Sequence, residues 1–334
     1  MEINKEKFVR ENHVNFDEID SSLFTIVGAQ SSESEHLASK PYSYWKSVGK
    51  LLFKSPTFLI AIAILITFII LAIVVPWGLE ATPLEKPNLA DPSNPIIGSS
   101  RPHAPTWGYW FGLGVEGEDL WVKMWAGMRT TLLFAFILAS IQLAVGIFIG
   151  SIWGYFKKTD IFFVQLTNIL TLVPQLILLL FIIFIIKPGY WPVILGVSIQ
   201  AWIAIATTVR VQIMLVKNTD YNTASISLGS SSGRIIQKNI MPKILPVIIQ
   251  SGTFAIPNAI SIDASLTFLG FGFIEGRKQT SLGQILNEVM AGTLWQNYPH
   301  LIIIPLILTT TVSIIFFVVA KVFADSLDPK NHRW

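Results

Sequence analysis

Six stretches of this chain are apolar for long enough to cross a bilayer, and that limits its fold more than any motif does. They cover residues 57–75, 130–150, 162–186, 192–216, 246–273 and 301–323. A helix of about 20 residues spans the roughly 30 Å of hydrocarbon. No water there can satisfy a free backbone amide, so each stretch must close its hydrogen bonds internally. The fold class expected is therefore all-α and integral to the membrane, with six transmembrane helices. Composition agrees: 13% of the residues are charged, against about 25% in soluble domains.

The flanking charge gives an orientation. With the N-terminus inside, one set of loops holds Lys46, Lys50, Lys54, Lys157, Lys158, Lys217, Arg234, Lys238, Lys243, Lys321, Lys330 and Arg333. The other holds Lys86, Arg101, Lys123, Lys187, Arg277 and Lys278, most of them diluted by acids. The positive-inside rule then puts both termini and the 217–245 loop in the cytoplasm. The N-terminus is polar and mixed in charge, unlike a secretory signal, so the first span is expected to be an uncleaved anchor. The expected divisions are a cytoplasmic tail 1–55, a first span 56–76, an extracytoplasmic loop 77–125, a helical domain 126–324 and a tail 325–334.

Within the tail, Ser31 to Glu35 reads as flexible. The first external loop holds Pro83, Pro87, Pro92, Pro95, Pro102 and Pro105, which exclude regular structure there. Residues 112–129 are expected to lie along the outer interface, with Trp110, Trp121 and Trp125 as an aromatic belt. A short surface or re-entrant helix is expected over Leu282, Ile285, Leu286, Val289 and Met290.

Chemistry-bearing residues are few. Cysteine is absent, which excludes disulfides, thiolate nucleophiles and cysteine-ligated metal. The five histidines (His13, His36, His103, His300, His332) have no metal-ligand spacing, and no GxxxxGK(S/T), HExxH or GxSxG motif occurs. The chain is thus expected to bind no cofactor and to be no enzyme. Nothing in its charge points to nucleic acid; membrane lipid is its expected surrounding.

Asp263 is the one acid deep in an apolar stretch, where a carboxylate costs about 2.5–3.5 kcal/mol, so it must face protein or water. It reads either as a gate or path residue or as a hydrogen-bonded tie between helices. Gln165, Asn168, Thr171 and Gln175 recur at steps of three and four and share one face of the third span, facing a water-filled path or a polar helix interface. Gln250, Asn258, Ser261 and Ser265 mark the fifth span as central, with Pro257 breaking its ladder. Gly146, Gly150 and Gly154 read as a close-packing seam.

The 217–245 loop has the layout of a docking element. Leu228-Gly229 reads as a helix end, the following serines as caps of a second short helix, and Pro242 as its stop. Two short helices with a fixed bend suit contact with a soluble partner better than chemistry.

These residues carry a resemblance. Thr223-Ala224-Ser225, Gly229 and Ile240-Met241-Pro242 resemble the coupling loop of permeases from bacterial ATP-binding-cassette importers, whose pattern is E-A-A-x-x-x-G followed by I-x-L-P. Thr223 departs from the glutamate of that pattern. Residues 263–272 resemble the E-A-A-L-S-F-L-G-L-G signature of the C-type subunit of oligopeptide and dipeptide permeases, with Asp263 for glutamate. Residues 127–129 resemble that family's approach to its second span, and residues 324–329 its D-x-L-D-P ending. Gly112, Gly117 and Asp119 match part of a G-T-D-x-x-G-R-D motif, from which Leu113, Gly114 and Glu118 depart.

The resemblance, covering about residues 40–334, implies the type I ABC importer permease fold, with 126–324 as the permease domain. It also implies a second, B-type permease, two cytoplasmic ATPases that bind ATP and Mg, and an extracytoplasmic peptide-binding protein. Tyr221, Thr223, Ala224, Ser225, Leu228, Gly229 and Pro242 would couple to the ATPases. Candidates for the path or gate are Gln165, Asn168, Thr171, Gln175, Asn258 and Asp263. The location implied is the cytoplasmic membrane of a Gram-positive bacterium, and the substrate an oligopeptide. Dipeptide, nickel or glutathione transport would share this pattern. An ion-coupled carrier would need more intramembrane acids than Asp263, and a receptor-like subunit no polar path.

Overall fold

The computed structural model describes residues 44–77, 102–115, 117–186, 189–270 and 280–327. The chain divides at Tyr44, and the helices below belong to the larger unit, Trp45–Trp334. The serine stretch 31–35, the prolines at 83–95, the basic residues 86, 101, 187, 277 and 278, and the motif ends at 271–272 and 328–329 lie outside the described residues.

Eleven helices carry the argument: α1 (Tyr44–Lys54), α2 (Pro56–Val74), α3 (Leu120–Tyr155), α4 (Lys157–Leu172), α5 (Gln175–Ile186) and α6 (Tyr190–Val216) come first. They are followed by α7 (Asp220–Ser227), α8 (Met241–Thr253), α9 (Ala255–Phe268), α10 (Leu282–Met290) and α11 (His300–Leu327). Five stretches are long and apolar enough to cross a membrane, and the pair α4 and α5 makes a sixth if taken as one broken span. The outward side chains of these helices are large and apolar, for instance Phe184, Leu172 and Leu215. Such a surface suits lipid and not water.

Helix starts follow local chemistry. Ser55 takes extended backbone, its hydroxyl accepts the Phe58 amide at 3.4 Å, and Pro56 fills the first helical position, where its missing N–H costs nothing. Asp119 caps α3 by accepting the Trp121 amide at 2.9 Å, and burial raises its carboxyl above the usual range.

That cap moves a boundary expected from the sequence. Helix α3 begins at Leu120 and runs 36 residues without a break, so residues 120–129 are its first turns. Trp125 is correspondingly buried, with Trp121 and Phe68 edge-on to it at 5.4 and 5.5 Å. Of the three expected belt residues, only Trp110, 64% exposed, is largely exposed.

The closest pairing is α3 with α6. Gly146, Gly150 and Gly154 face it one turn apart, as their spacing implies. A Cβ on Gly150 would lie 2.6 Å from the Ala206 carbonyl oxygen and 2.8 Å from Val209 Cβ. On Gly146 it would lie 2.6 Å from Ile205 Cβ, and on Gly154 2.9 Å from the Arg210 carbonyl. The backbones touch because nothing stands between them. The seam is closed at its end by Lys217, which donates to the Gly154 carbonyl at 3.0 Å, a favourable place for a cation.

Gly150→Leu should therefore lose about 1–3 kcal/mol through overpacking. A fall in the thermal midpoint of the purified protein in detergent is expected; an unchanged midpoint would show that the seam can open without cost.

Candidate functional site

The third apolar stretch is not one continuous helix. Helices α4 and α5 are bent by 83° at the break between them, which corrects the continuous helix expected over 162–186. Pro174 is the cause: it has no N–H to give the Leu170 carbonyl, and its ring disfavours helix at the residue before it. The freed acceptors are claimed from another helix. Gln200 of α6 donates through Nε2 to the Leu170 carbonyl at 2.5 Å and to the Val173 carbonyl at 2.8 Å.

Beside this break lies a cavity of about 920 Å³. One wall comes from Thr171, Gln175 and Gln200 around the break. The opposite wall comes from α8 and α9, with Ser251, Asn258 and Ser261 among apolar neighbours. Gln142 of α3, and Ser313 and Phe317 of α11, complete it. Four primary amides and four hydroxyls thus line the cavity, and no lining residue is charged. Such walls can hydrogen-bond a polar solute without demanding a particular charge.

The expected path residues divide. Thr171, Gln175 and Asn258 line the cavity, while Gln165 and Asn168 are exposed on α4 away from it. The cavity opens at the bend, where Thr171 at the end of α4 and Gln175 at the start of α5 meet, while Gln165 and Asn168 lie about one to two turns earlier on α4. Pro257 does break the fifth stretch as expected, between Thr253 and Ala255, the carbonyl it cannot serve being that of Thr253. Asn258 and Ser261 remain exposed on the cavity side. Gln142, Gln200, Ser251 and Ser313 were not singled out from the sequence; isolated polar residues on four separate helices give no periodic signal.

Asp263 is not in the cavity wall. It is fully buried, accepting from Thr131 Oγ1 at 2.6 Å and from Thr267 Oγ1 at 3.0 Å, with the Ser281 hydroxyl also bonded to it. Thr131 in turn accepts the Leu282 amide at 3.1 Å, so one carboxylate ties α3, α9 and the start of α10. Of its two sequence readings, the geometry is that of the tie. The packing there leaves little slack, since a Cβ on Gly283 would approach Thr267 Cβ to 2.8 Å.

The polar loop forms a bent element. Helix α7 ends in a Schellman turn: Gly229 has φ 79°, Ser230 N–H donates to the Ser225 carbonyl at 3.0 Å, and Gly229 N–H to the Ile226 carbonyl at 2.9 Å. Ser231 then starts a helical turn, Ser232–Arg234, with the extended backbone of an N-cap but no side-chain capping bond. Pro242 does not stop that helix, contrary to the sequence reading. A π-helical turn, Ile235–Ile240, precedes it, and Pro242 sits in the first turn of α8, where its missing donor is tolerated.

Ala224, Thr223, Leu228 and Gly229 are exposed, Leu228 at 87%, whereas Tyr221 is half-buried with the Lys243 ammonium 3.6 Å from its ring centre. Ser225 faces inward, accepting from Asn239 Nδ2 at 3.0 Å. Asn222, fully buried, donates to the Val216 carbonyl at 2.9 Å. These two asparagines lock α7 to α6 and to the π turn.

A second polar lock stands nearby. Asp160 Oδ1 accepts from Arg210 Nε and Nη2, each at 2.7 Å, and from Trp153 Nε1 at 2.9 Å, so α4, α6 and α3 share one carboxylate oxygen.

These features define a multi-span helical membrane protein with an uncharged cavity, mainly apolar with amides and hydroxyls in its walls, and a bent, exposed polar loop. Residues 146–333 match the model of the family described as binding-protein-dependent transport system inner membrane component. The chain belongs to that family. It is 33% identical to the oligopeptide transport system permease protein AmiD of Streptococcus pneumoniae, over 94% of this chain and 99% of that protein. It is 26% identical to the oligopeptide transport system permease protein OppC of Bacillus subtilis, over 94% and 99%. Against the dipeptide transport system permease protein DppC of the same organism the value is 24%, over 95% of each.

Asp263→Asn should lose about 1–3 kcal/mol, because the amide nitrogen cannot accept the hydroxyl protons that the carboxylate oxygens take. Thermal midpoint should fall, and solute flux through whatever protein still assembles should stay near wild type. Full stability with abolished flux would instead make Asp263 a gate.

Proposed function

We infer that this chain is a transmembrane permease subunit of an ATP-driven importer of oligopeptides. The observation that carries this reading is an uncharged cavity with amides and hydroxyls set among apolar walls, in a chain that aligns over 94% of its length with oligopeptide permease proteins. A peptide offers a backbone donor and acceptor at every residue whatever its side chains. Primary amides answer both, and neutral walls impose no charge preference.

The other parts have assigned roles in this reading. A second, B-type permease completes the path, an extracytoplasmic binding protein delivers the peptide, and two cytoplasmic ATPases bind ATP and Mg. The chain itself holds no nucleotide. Both termini and α7 lie in the cytoplasm of a bacterium, Gram-positive on the pattern of its relatives. Ala224, Leu228 and Gly229, with Thr223 where a glutamate is usual, seat in the ATPase. Tyr221, Ser225 and Pro242 hold the lever's shape from behind. Motion of the ATPase pair then reaches the cavity through α8, which continues directly from the lever.

Gly229→Trp tests this. A tryptophan at φ 79° is strained, and the exposed turn would change shape while the membrane helices keep theirs. In the reconstituted complex, peptide uptake should fall at least about tenfold while ATPase activity loses its response to loaded binding protein. Wild-type uptake with coupled hydrolysis would sink the lever assignment.

A further inference from the structure

Helix α1 is short, amphipathic and basic, and it ends one residue before a membrane-spanning helix. Its eleven residues read Tyr-Trp-Lys-Ser-Val-Gly-Lys-Leu-Leu-Phe-Lys. Val48 and Leu52 are buried. Lys46, Lys50 and Lys54 recur every fourth residue, drifting by only about 40° per step around the axis, and all three are exposed. Between the buried face and the lysine stripe lie Trp45, 50% exposed, and Phe53, 71% exposed.

The extended backbone of Ser55 separates α1 from α2, so the helix is not an extension of the span. The 19-residue, strongly apolar helix that follows is long enough to span the hydrocarbon, which puts Lys54 near its edge. An aromatic flank beside a lysine stripe at that depth matches the layering of a bilayer surface, with acyl chains below and phosphates above. Among the described residues no carboxylate pairs with these lysines.

We propose that α1 is an anchor for anionic lipid: Trp45 and Phe53 enter the acyl boundary while Lys46, Lys50 and Lys54 hold anionic headgroups. Each lysine near a charged surface adds about fivefold to the preference for anionic over zwitterionic lipid. Three in one stripe therefore give a local enrichment that a single lysine would not. The proposal is independent of the solute carried.

The absence of cysteine allows a clean test. Gly49 lies on the aromatic flank and has open space around an added Cβ, so Gly49→Cys accepts a single bimane fluorophore. The labelled full chain is placed in phosphatidylcholine nanodiscs. Phosphatidylglycerol or phosphatidylcholine carrying the same spin-labelled acyl chain is then titrated in. Phosphatidylglycerol should quench at a mole fraction at least about fivefold lower. K46Q/K50Q/K54Q should bring the two lipids to parity, and K46R/K50R/K54R should keep the preference. Inorganic phosphate at constant ionic strength should not compete. Equal quenching in the parent, or a preference surviving the glutamine variant, would overturn the anchor. No quenching by either lipid would put α1 off the bilayer, and competition by phosphate would make the site one for the free anion.

Discussion

Every carbonyl in a membrane helix must find a donor, and the shape of the cavity follows from a place where the chain withholds it. Pro174 leaves the Leu170 carbonyl without its helical partner, and Gln200 reaches over from α6 to supply one. That exchange bends the third stretch by 83°, turns Thr171 and Gln175 toward α8 and α9, and opens the space between them. The same amide serves as repair and as wall. The cost of an unserved acceptor in hydrocarbon is what makes the arrangement definite.

Around that opening the remaining helices are held by two different means. Helices α3 and α6 are joined by the removal of side chains, three glycines letting the backbones meet. The edges of the bundle are joined by shared acceptors: Asp263 collects α3, α9 and α10, and Asp160 collects α3, α4 and α6. Both carboxylates take several donors, which offsets the cost of removing charge from water.

Much of this was legible in the sequence. Apolar runs mark spans because hydrocarbon thickness fixes their length, and the Gly146, Gly150 and Gly154 spacing marks a seam because small residues have few other uses there. Gly229 marks a turn because few residues tolerate positive φ. What was not legible depended on partners remote in sequence. Pro174 could be seen, but the bend needed Gln200. Trp125 looked like a belt residue because periodicity cannot separate a lipid-facing side chain from one under a neighbouring helix. Pro242 looked like a stop because a π turn, set by packing, leaves no residue signature. Gln165 and Asn168 shared a face with Gln175 only while the helix was assumed straight.

The lever has a thermodynamic consequence. Residues 221–230 carry no charge, and Ile226 and Leu228 stand exposed at 54% and 87%. On the inferred reading, the contact made there is sealed chiefly by water leaving apolar surface and little by ion pairing. Its formation would carry a negative heat-capacity change and weaken on cooling, with little response to salt. A glutamate at position 223 would have added a salt-dependent component to that contact. On that reading, with threonine there, the contact made by residues 221–230 themselves would respond more to temperature than to salt.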